Sequence, residues 1–282
     1  MTLLVERSLL EKQLEDFFEK HSEEKLLLHT DIGAWGLLKG PKERNEILAA
    51  YVESLSKASS GRSLFFPVFN YDYGRSRRYD VLHDRCQVGA LNEYIRLQNP
   101  GKRTRTPMFN FSEWPKASFS LIPSENPFEE SSLWGELCQR NGRICFLGAD
   151  FSANTFIHYI EEKKGIGYRY LKPMPGVVVV GTEEDRVNFF FRARPRVDRA
   201  VEYDWDRLEA DLVREHLLDC QPLGIGKILT YNAKDLLEYW LGRLEDDEFF
   251  FLTDASKAKI AELRRSKPYP FHFEDFEQEV EK

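Results

Sequence analysis

Arg143-Ile-Cys-Phe-Leu-Gly148, a short polar loop, then Asn154-Thr155-Phe156-Ile157-His158-Tyr159-Ile160-Glu161 is the stretch around which the chain organises. An apolar run of strand length ends at a glycine, and a helix opens soon afterwards. Strand, loop and helix in that order form the repeating unit of an α/β sheet. Residues i and i+3 share one helix face, so Glu161 is expected beside the imidazole of His158, favouring its protonated form. An imidazole titrating near neutral pH, with a carboxylate to stabilise the charge it gains, is how a general base is built. The plainer alternative is a satisfied core histidine above a surface glutamate.

The same alternation extends to either side. Lys25-Leu-Leu-Leu-His29 and Ser63-Leu-Phe-Phe-Pro67 are continuous apolar runs, the mark of strands covered on both faces. Residues 6–20 read as an amphipathic helix, with Leu10, Leu14, Phe17 and Phe18 on one stripe. A second helix should start at Pro41 and reach about Lys57, and a third should span 88–97. Residues 102–130 read as irregular, and Ser132 as a helix start. The runs 177–180 and 187–192 suggest a hairpin. A helix at 204–218, a strand near 225–229 and a helix at 233–244 complete the body, before an acidic, solvated tail from Glu274. The expected fold is α/β: a mixed, largely parallel central sheet flanked by helices, with an antiparallel hairpin in the C-terminal half. Residues 1–282 should form one domain, with substructure at 1–172 and 173–282.

A net charge of -7 over 282 residues argues against nucleic acid or an anionic membrane as the main partner. No apolar run approaches the ~20 residues of a spanning helix, and Met1-Thr-Leu-Leu-Val-Glu-Arg7 turns charged too soon for a signal peptide. Cys86, Cys138, Cys145 and Cys220 show neither metal-type spacing nor close pairing, which fits reduced thiols in a cytoplasmic protein. Two local basic clusters stand out against the acidic balance: Arg75-Ser-Arg77-Arg78 and Lys102-Arg103-Thr-Arg105.

Ligands of α/β sheets bind beyond the carboxyl ends of parallel strands. Three strands here deliver chemically loaded loops to that edge: His29-Thr-Asp-Ile-Gly33, then Pro67-Val-Phe-Asn-Tyr-Asp-Tyr-Gly74, then the segment from Asp150 to Glu161. In order, the chain carries His29-Thr-Asp-Ile32 with Gly36, Gly61-Arg-Ser-Leu-Phe-Phe-Pro67, Gly89-Ala-Leu91, Arg103 to Pro107, and Thr155-x-x-His158-x-x-Glu161. Tyr168-Arg169-Tyr170 with Lys172 follows. From about residue 20 to 245 this series resembles the aminoglycoside 3-N-acetyltransferase (antibiotic N-acyltransferase) family.

The resemblance implies transfer of an acyl group from a coenzyme A thioester to an amine, with acyl-CoA as co-substrate and no metal. His158 is the expected general base, with Glu161, or Asp31 as a second candidate, orienting its ring. Backbone N–H groups of the loop from Thr30 through Asp31 and Ile32 to Gly33, with the Thr30 hydroxyl, are candidates to meet the donor and its developing oxyanion. Asn154 and Thr155 either touch the substrates or cap the histidine helix. Arg103 with its neighbours, or else Arg75, Arg77 and Arg78, would hold coenzyme A phosphates, and the basic loop could instead grip a phosphate on the acceptor. Asn70, Tyr71, Asp72 and Thr106 are expected to shape the acceptor pocket.

The chain departs from the family at Thr106-Pro107, where a His-Pro dipeptide is usual, at Asn110, and at Asp31, where aminoglycoside-modifying members carry serine. Asp31 is similar to relatives that acylate nucleotide-linked amino sugars, and that acceptor is the leading expectation. An antibiotic-modifying aminoglycoside acetyltransferase with the same mechanism is the alternative. A homodimer is left open. A metal-dependent hydrolase using His29, Asp31, His83 and His158 lacks a supporting motif, and a binding module with a relic site sits poorly with an intact His158 and Glu161.

Overall fold

The computed structural model describes residues 4–115 and 124–277. Its centre is a six-stranded sheet of β1 (Lys25–Thr30), β2 (Ser63–Pro67), β3 (Phe111–Trp114), β4 (Arg143–Leu147), β5 (Asp219–Leu223) and β6 (Gly226–Asn232), in the order β5-β6-β4-β1-β2-β3. Only the central three strands run parallel, β4 with β1 and β1 with β2; the outer junctions are antiparallel. The α/β class is as expected, with the parallel character concentrated at the middle of the sheet. Strands from both sides of residue 172 share this one sheet.

Strand periodicity explains the two cores. Leu26 and Leu28 of β1 point to one face and join Leu64, Phe66, Cys145 and Leu147, covered by the helices Arg7–Lys20, Arg44–Ala58 and Ala90–Gln98. Leu27 points to the other, with Phe65, Ile144 and Phe146, under the helices Leu133–Gln139, Phe156–Lys164 and Ala233–Asp246. Side chains buried on both faces are why β1 and β2 read as unbroken apolar runs. The register pairs His29 with Phe146, and their rings stack at 5.0 Å.

Several elements differ from the sequence reading. The second helix begins at Arg44 rather than Pro41, because Glu43 and Glu46 close a capping box there. Strand 177–180 does pair antiparallel, but with Glu183–Val187; the segment Phe190–Ala193 pairs instead with Tyr170–Pro173. Inside the stretch read as irregular lies β3, while 116–123 fall outside the described residues. The helix expected over 204–218 stops at Arg214, and β5 begins at Asp219. The helix Asp254–Leu263 was not foreseen; Thr253 caps it by accepting from the Ser256 N–H. Near the chain's end Glu277 is not solvated: it bonds Tyr170 and Lys172.

Gly148 ends β4 at φ +69°, a conformation that L side chains rarely adopt. A Cβ there would stand 2.6 Å from the Asp31 carbonyl oxygen. The loops leaving β1 and β4 therefore touch, which puts their residues at one edge of the sheet. Among the described residues no helix is long and apolar enough to cross a membrane.

Candidate active site

The loops after β1, β2 and β4 gather at the carboxyl edge of the parallel strands, as the sequence implied. After β4, Asp150 caps a short turn by accepting from Ser152 N–H at 2.8 Å, and the helix Phe156–Lys164 follows. Ile157, Ile160 and Phe156 bury its inner face, which holds His158 and Glu161 at the join between this helix and the strands Tyr170–Pro173 and Phe190–Ala193.

His158 Nδ1 lies 3.0 Å from Glu161 Oε2. The glutamate is 1% exposed, yet every bond it makes suits a carboxylate. Arg169 Nε stands 2.9 Å from Oε2, and the Tyr168 and Tyr203 hydroxyls donate to Oε1 at 2.8 and 2.7 Å. Burial by itself would raise the Glu161 pKa; Arg169 and the bond to His158 outweigh it and bring the pKa down to about 2. Burial and the same Glu161 charge push both phenols well above their ordinary value, so they stay donors.

With Nδ1 given to an ionised carboxylate, its proton sits on that nitrogen and the lone pair on Nε2. The sequence reading expected Glu161 to favour imidazolium. Glu161 does so, but burial lowers the His158 pKa by more, and Arg169 and Arg194 add to the lowering. A neutral imidazole ready to accept a proton at neutral pH results. The His158 side chain is 28% exposed and opens on a cavity of about 840 Å³.

That cavity has apolar walls of Phe191, Tyr203, Trp205 and Met174. Arg75, Arg77, Arg169, Lys172, Arg194 and Arg196 bring six cationic side chains to it, against the carboxylates of Glu202 and Glu277. A second, narrower cleft of about 260 Å³ is lined by His29, Thr30, Tyr71, Asn92, Ser152 and Thr155, none of them charged at neutral pH. His29 stays neutral because burial brings its pKa down to about 3. Thr155 lies one helical turn before His158, so the two spaces flank the same helix start.

Other expected site residues are engaged elsewhere. Asp31 does not orient His158; its carboxylate accepts from the Gly33 N–H at 3.0 Å and caps the turn Ile32–Trp35. The Asp31 N–H donates to the Leu147 carbonyl at 3.0 Å, and the Thr30 hydroxyl donates to Asn92 Oδ1 at 2.8 Å, so these oxyanion candidates have internal partners. Ile32 packs against the core on the far face of the sheet. Arg103 is wholly buried: its guanidinium bonds Asn110 Oδ1 at 2.8 Å, the Val68 carbonyl at 2.7 Å and the Asp84 carbonyl at 2.5 Å. It clamps three loops and has no face left for a phosphate.

Asn70 fastens its own loop, donating to the Arg85 carbonyl at 2.8 Å and accepting from the Asp72 N–H at 3.0 Å. Asp72 pairs with Arg75 at 3.0 Å, and Thr106 is buried. Asn154 accepts from the Tyr231 hydroxyl at 2.7 Å, anchoring the helix start to β6. Tyr71 and Thr155 do reach the narrow cleft. The cysteines are free thiols, three of them buried, and burial pushes Cys86 up to about 11 and Cys145 up to about 12. His83 is tied to Asp80 at 3.0 Å, and among the described residues no cluster of His, Cys, Asp and Glu could hold a metal ion.

The partners of Glu161 carried weak sequence signals. Tyr168 and Arg169 stood in the resembling segment without an assigned role, and nothing near Tyr203 marked it.

Residues 50–245 match the family described as aminoglycoside 3-N-acetyltransferase. The fold is similar to AAC(3)-IVa, solved as a histidine-to-alanine mutant in complex with a gentamicin: 19% identity, 92% of this chain and 95% of that one covered, TM-score 0.66. It is similar to AAC-IIIb in its binary complex with CoASH, at 15% identity, 89% and 99% coverage and TM-score 0.68. It is also similar to the YokD protein from Bacillus subtilis, at 13% identity, 85% and 94% coverage and TM-score 0.61. No curated protein sequence matches the chain.

Proposed function

The chain belongs to the aminoglycoside 3-N-acetyltransferase family, and on that basis we propose that it moves an acetyl group from acetyl-coenzyme A to an amine of an amino-sugar acceptor, with His158 as general base. The observation that carries this is the neutral, pocket-facing imidazole of His158 held at 3.0 Å by an ionised, buried Glu161. The amine nitrogen attacks the thioester carbonyl, a C–N bond forms and the C–S bond breaks. His158 Nε2 takes the proton that the amine must lose, and returns it to the leaving sulfur. Glu161 steadies the imidazolium formed in between, and Arg169, Tyr168 and Tyr203 keep Glu161 ionised and fixed.

The uncharged cleft at Thr30, Asn92 and Thr155 suits the slender arm of the donor, and AAC-IIIb binds CoASH on a similar fold. The cavity on the other side of His158 then receives the acceptor. AAC(3)-IVa binds a gentamicin, which supports an amino sugar of the aminoglycoside type over the nucleotide-linked sugar expected from Asp31. Asp31 caps a turn and no longer argues for either. The test is thiol release from acetyl-coenzyme A with kanamycin- and gentamicin-type aminoglycosides beside uridine-diphosphate amino sugars. Amine-dependent release supports the reading; no release with any amine removes it.

A further inference from the structure

The cavity's charge does not suit a polycation. An aminoglycoside carries several ammonium groups, and here they would meet six cationic side chains and two carboxylates. Some of those cations are already paired: Arg169 with Glu161, Lys172 with Glu277, and Arg75 with Asp72. Arg196 also reaches Glu277, at 3.8 Å. Two are not. Neither Arg77 nor Arg194 has a carboxylate partner among the described residues, and one terminal nitrogen of Arg77 is buried with no hydrogen bond at all. Arg77 is half-buried, and a guanidinium left unmatched there is destabilising unless something anionic completes it; Arg194 is exposed and donates to the Val201 carbonyl at 3.5 Å.

The backbone holds Arg77 in this position. It adopts the left-handed conformation at φ +55°, which costs a non-glycine residue about 1 kcal/mol, and its carbonyl accepts from Val177 N–H at 2.8 Å. A Cβ on Gly176 would stand 2.3 Å from that carbonyl oxygen, so only glycine lets the strand lie against it. Arg194 stands near enough to His158 to help lower its pKa. The chain's own Glu277, seated on Lys172, shows how this wall receives a carboxylate.

We propose that the acceptor carries a phosphate group, gripped by Arg77 and Arg194 while its amine faces His158. This rests on the acyl-transfer reading alone, and on the acceptor it sets the charge of this cavity against the aminoglycoside type that the likeness to AAC(3)-IVa favours. Planar guanidinium forks match phosphate oxygens in pairs, and Phe191 and Trp205 supply apolar faces for the rest of the molecule. Coenzyme A is itself a source of phosphate, so the test must separate donor from acceptor.

Inorganic pyrophosphate is titrated calorimetrically into the protein with coenzyme A saturating, using the natural chain, Arg77→Gln, Arg194→Gln and His158→Ala. The expected result is binding beside coenzyme A, weakened at least ~10-fold by either arginine substitution, as for lost charge-assisted bonds, and unchanged by His158→Ala. Arg194 is exposed, so its replacement leaves the fold intact even if Arg77→Gln disturbs it. No binding once coenzyme A is present, or binding by both arginine variants as tight as by the natural chain, overturns the proposal. In turnover, Arg194→Gln should raise KM for a uridine-diphosphate amino sugar and leave KM for acetyl-coenzyme A alone. A rise for acetyl-coenzyme A instead, or faster turnover of gentamicin than of the phosphorylated acceptor, also overturns it. Absence of turnover with every amine would remove the acyl-transfer reading, while the pyrophosphate titration would still report on the arginines.

Discussion

His158 Nδ1 and Glu161 Oε2 stand 3.0 Å apart, and Arg169 approaches the same oxygen at 2.9 Å. One carboxylate thus serves both a buried cation and the imidazole. Replacing it by an amide removes its support for imidazolium and leaves Arg169 unmatched, and both changes lower the His158 pKa further. Because the neutral imidazole is the active form, Glu161→Gln should shift the acidic limb of the kcat/KM profile to lower pH and reduce kcat. A limb that stays in place would disconnect Glu161 from the base.

Tyr203 touches Glu161 at 2.7 Å and His158 Nδ1 at 3.3 Å through one hydroxyl. Tyr203→Phe should lower kcat by roughly 10-fold, about the worth of one hydrogen bond to a charged group, with KM for acetyl-coenzyme A unchanged. Loss confined to KM would make Tyr203 a binding residue only.

Arg103 is the clearest case of a residue whose role inverted between sequence and structure. Its place in a basic cluster suggested a phosphate ligand; its three acceptors belong to the protein. Arg103→Met should therefore cost at least ~3 kcal/mol of stability, since several buried acceptors lose their donor at once. KM for acetyl-coenzyme A should not move. An unchanged melting temperature with a raised KM would restore the phosphate role.

That inversion marks the boundary of what the sequence disclosed. The three parallel strands, their loops and the His158–Glu161 pair were legible because strand burial and helix spacing are local periodicities. The carboxyl-edge location followed from them. The partners of Glu161 were not legible, because Tyr203 lies 42 residues away and meets it only through the packing of a separate segment. Cation clusters misled for a related reason. Adjacent arginines diverge once folded: Arg103 turns inward, Arg78 pairs with Asp80 at 3.7 Å and Glu184 at 3.5 Å, and Arg77 alone of its cluster faces the cavity with no carboxylate partner among the described residues. The missed helix Asp254–Leu263 is held by a Thr253 cap and by contacts to a distant core rather than by a strong apolar stripe.

His29 makes acid stability a further check. Its folded pKa of about 3 lies below the ordinary histidine value of 6.5, so the unfolded chain binds the extra proton first. Stability contributed by the neutral ring is complete above 6.5 and falls as pH drops toward 3. By pH 4 this amounts to about 3 kcal/mol, at ~1.4 kcal/mol per unit. Glu161 adds a loss at lower pH, from 4.5 down to its folded pKa of about 2. His29→Phe, keeping the stack on Phe146, should flatten the decline in melting temperature between pH 6.5 and 4. An identical decline in the variant would place the acid lability elsewhere.

The most direct measurement is thiol release from acetyl-coenzyme A, with an amino-sugar acceptor present, by the natural chain and by His158→Asn. Asparagine keeps a polar side chain there and removes the base. Release should fall at least ~10²-fold, the scale for losing a general base, while coenzyme A still binds with the original affinity. Equal release by the two proteins would contradict the assignment of His158, and with it the account of how this site works.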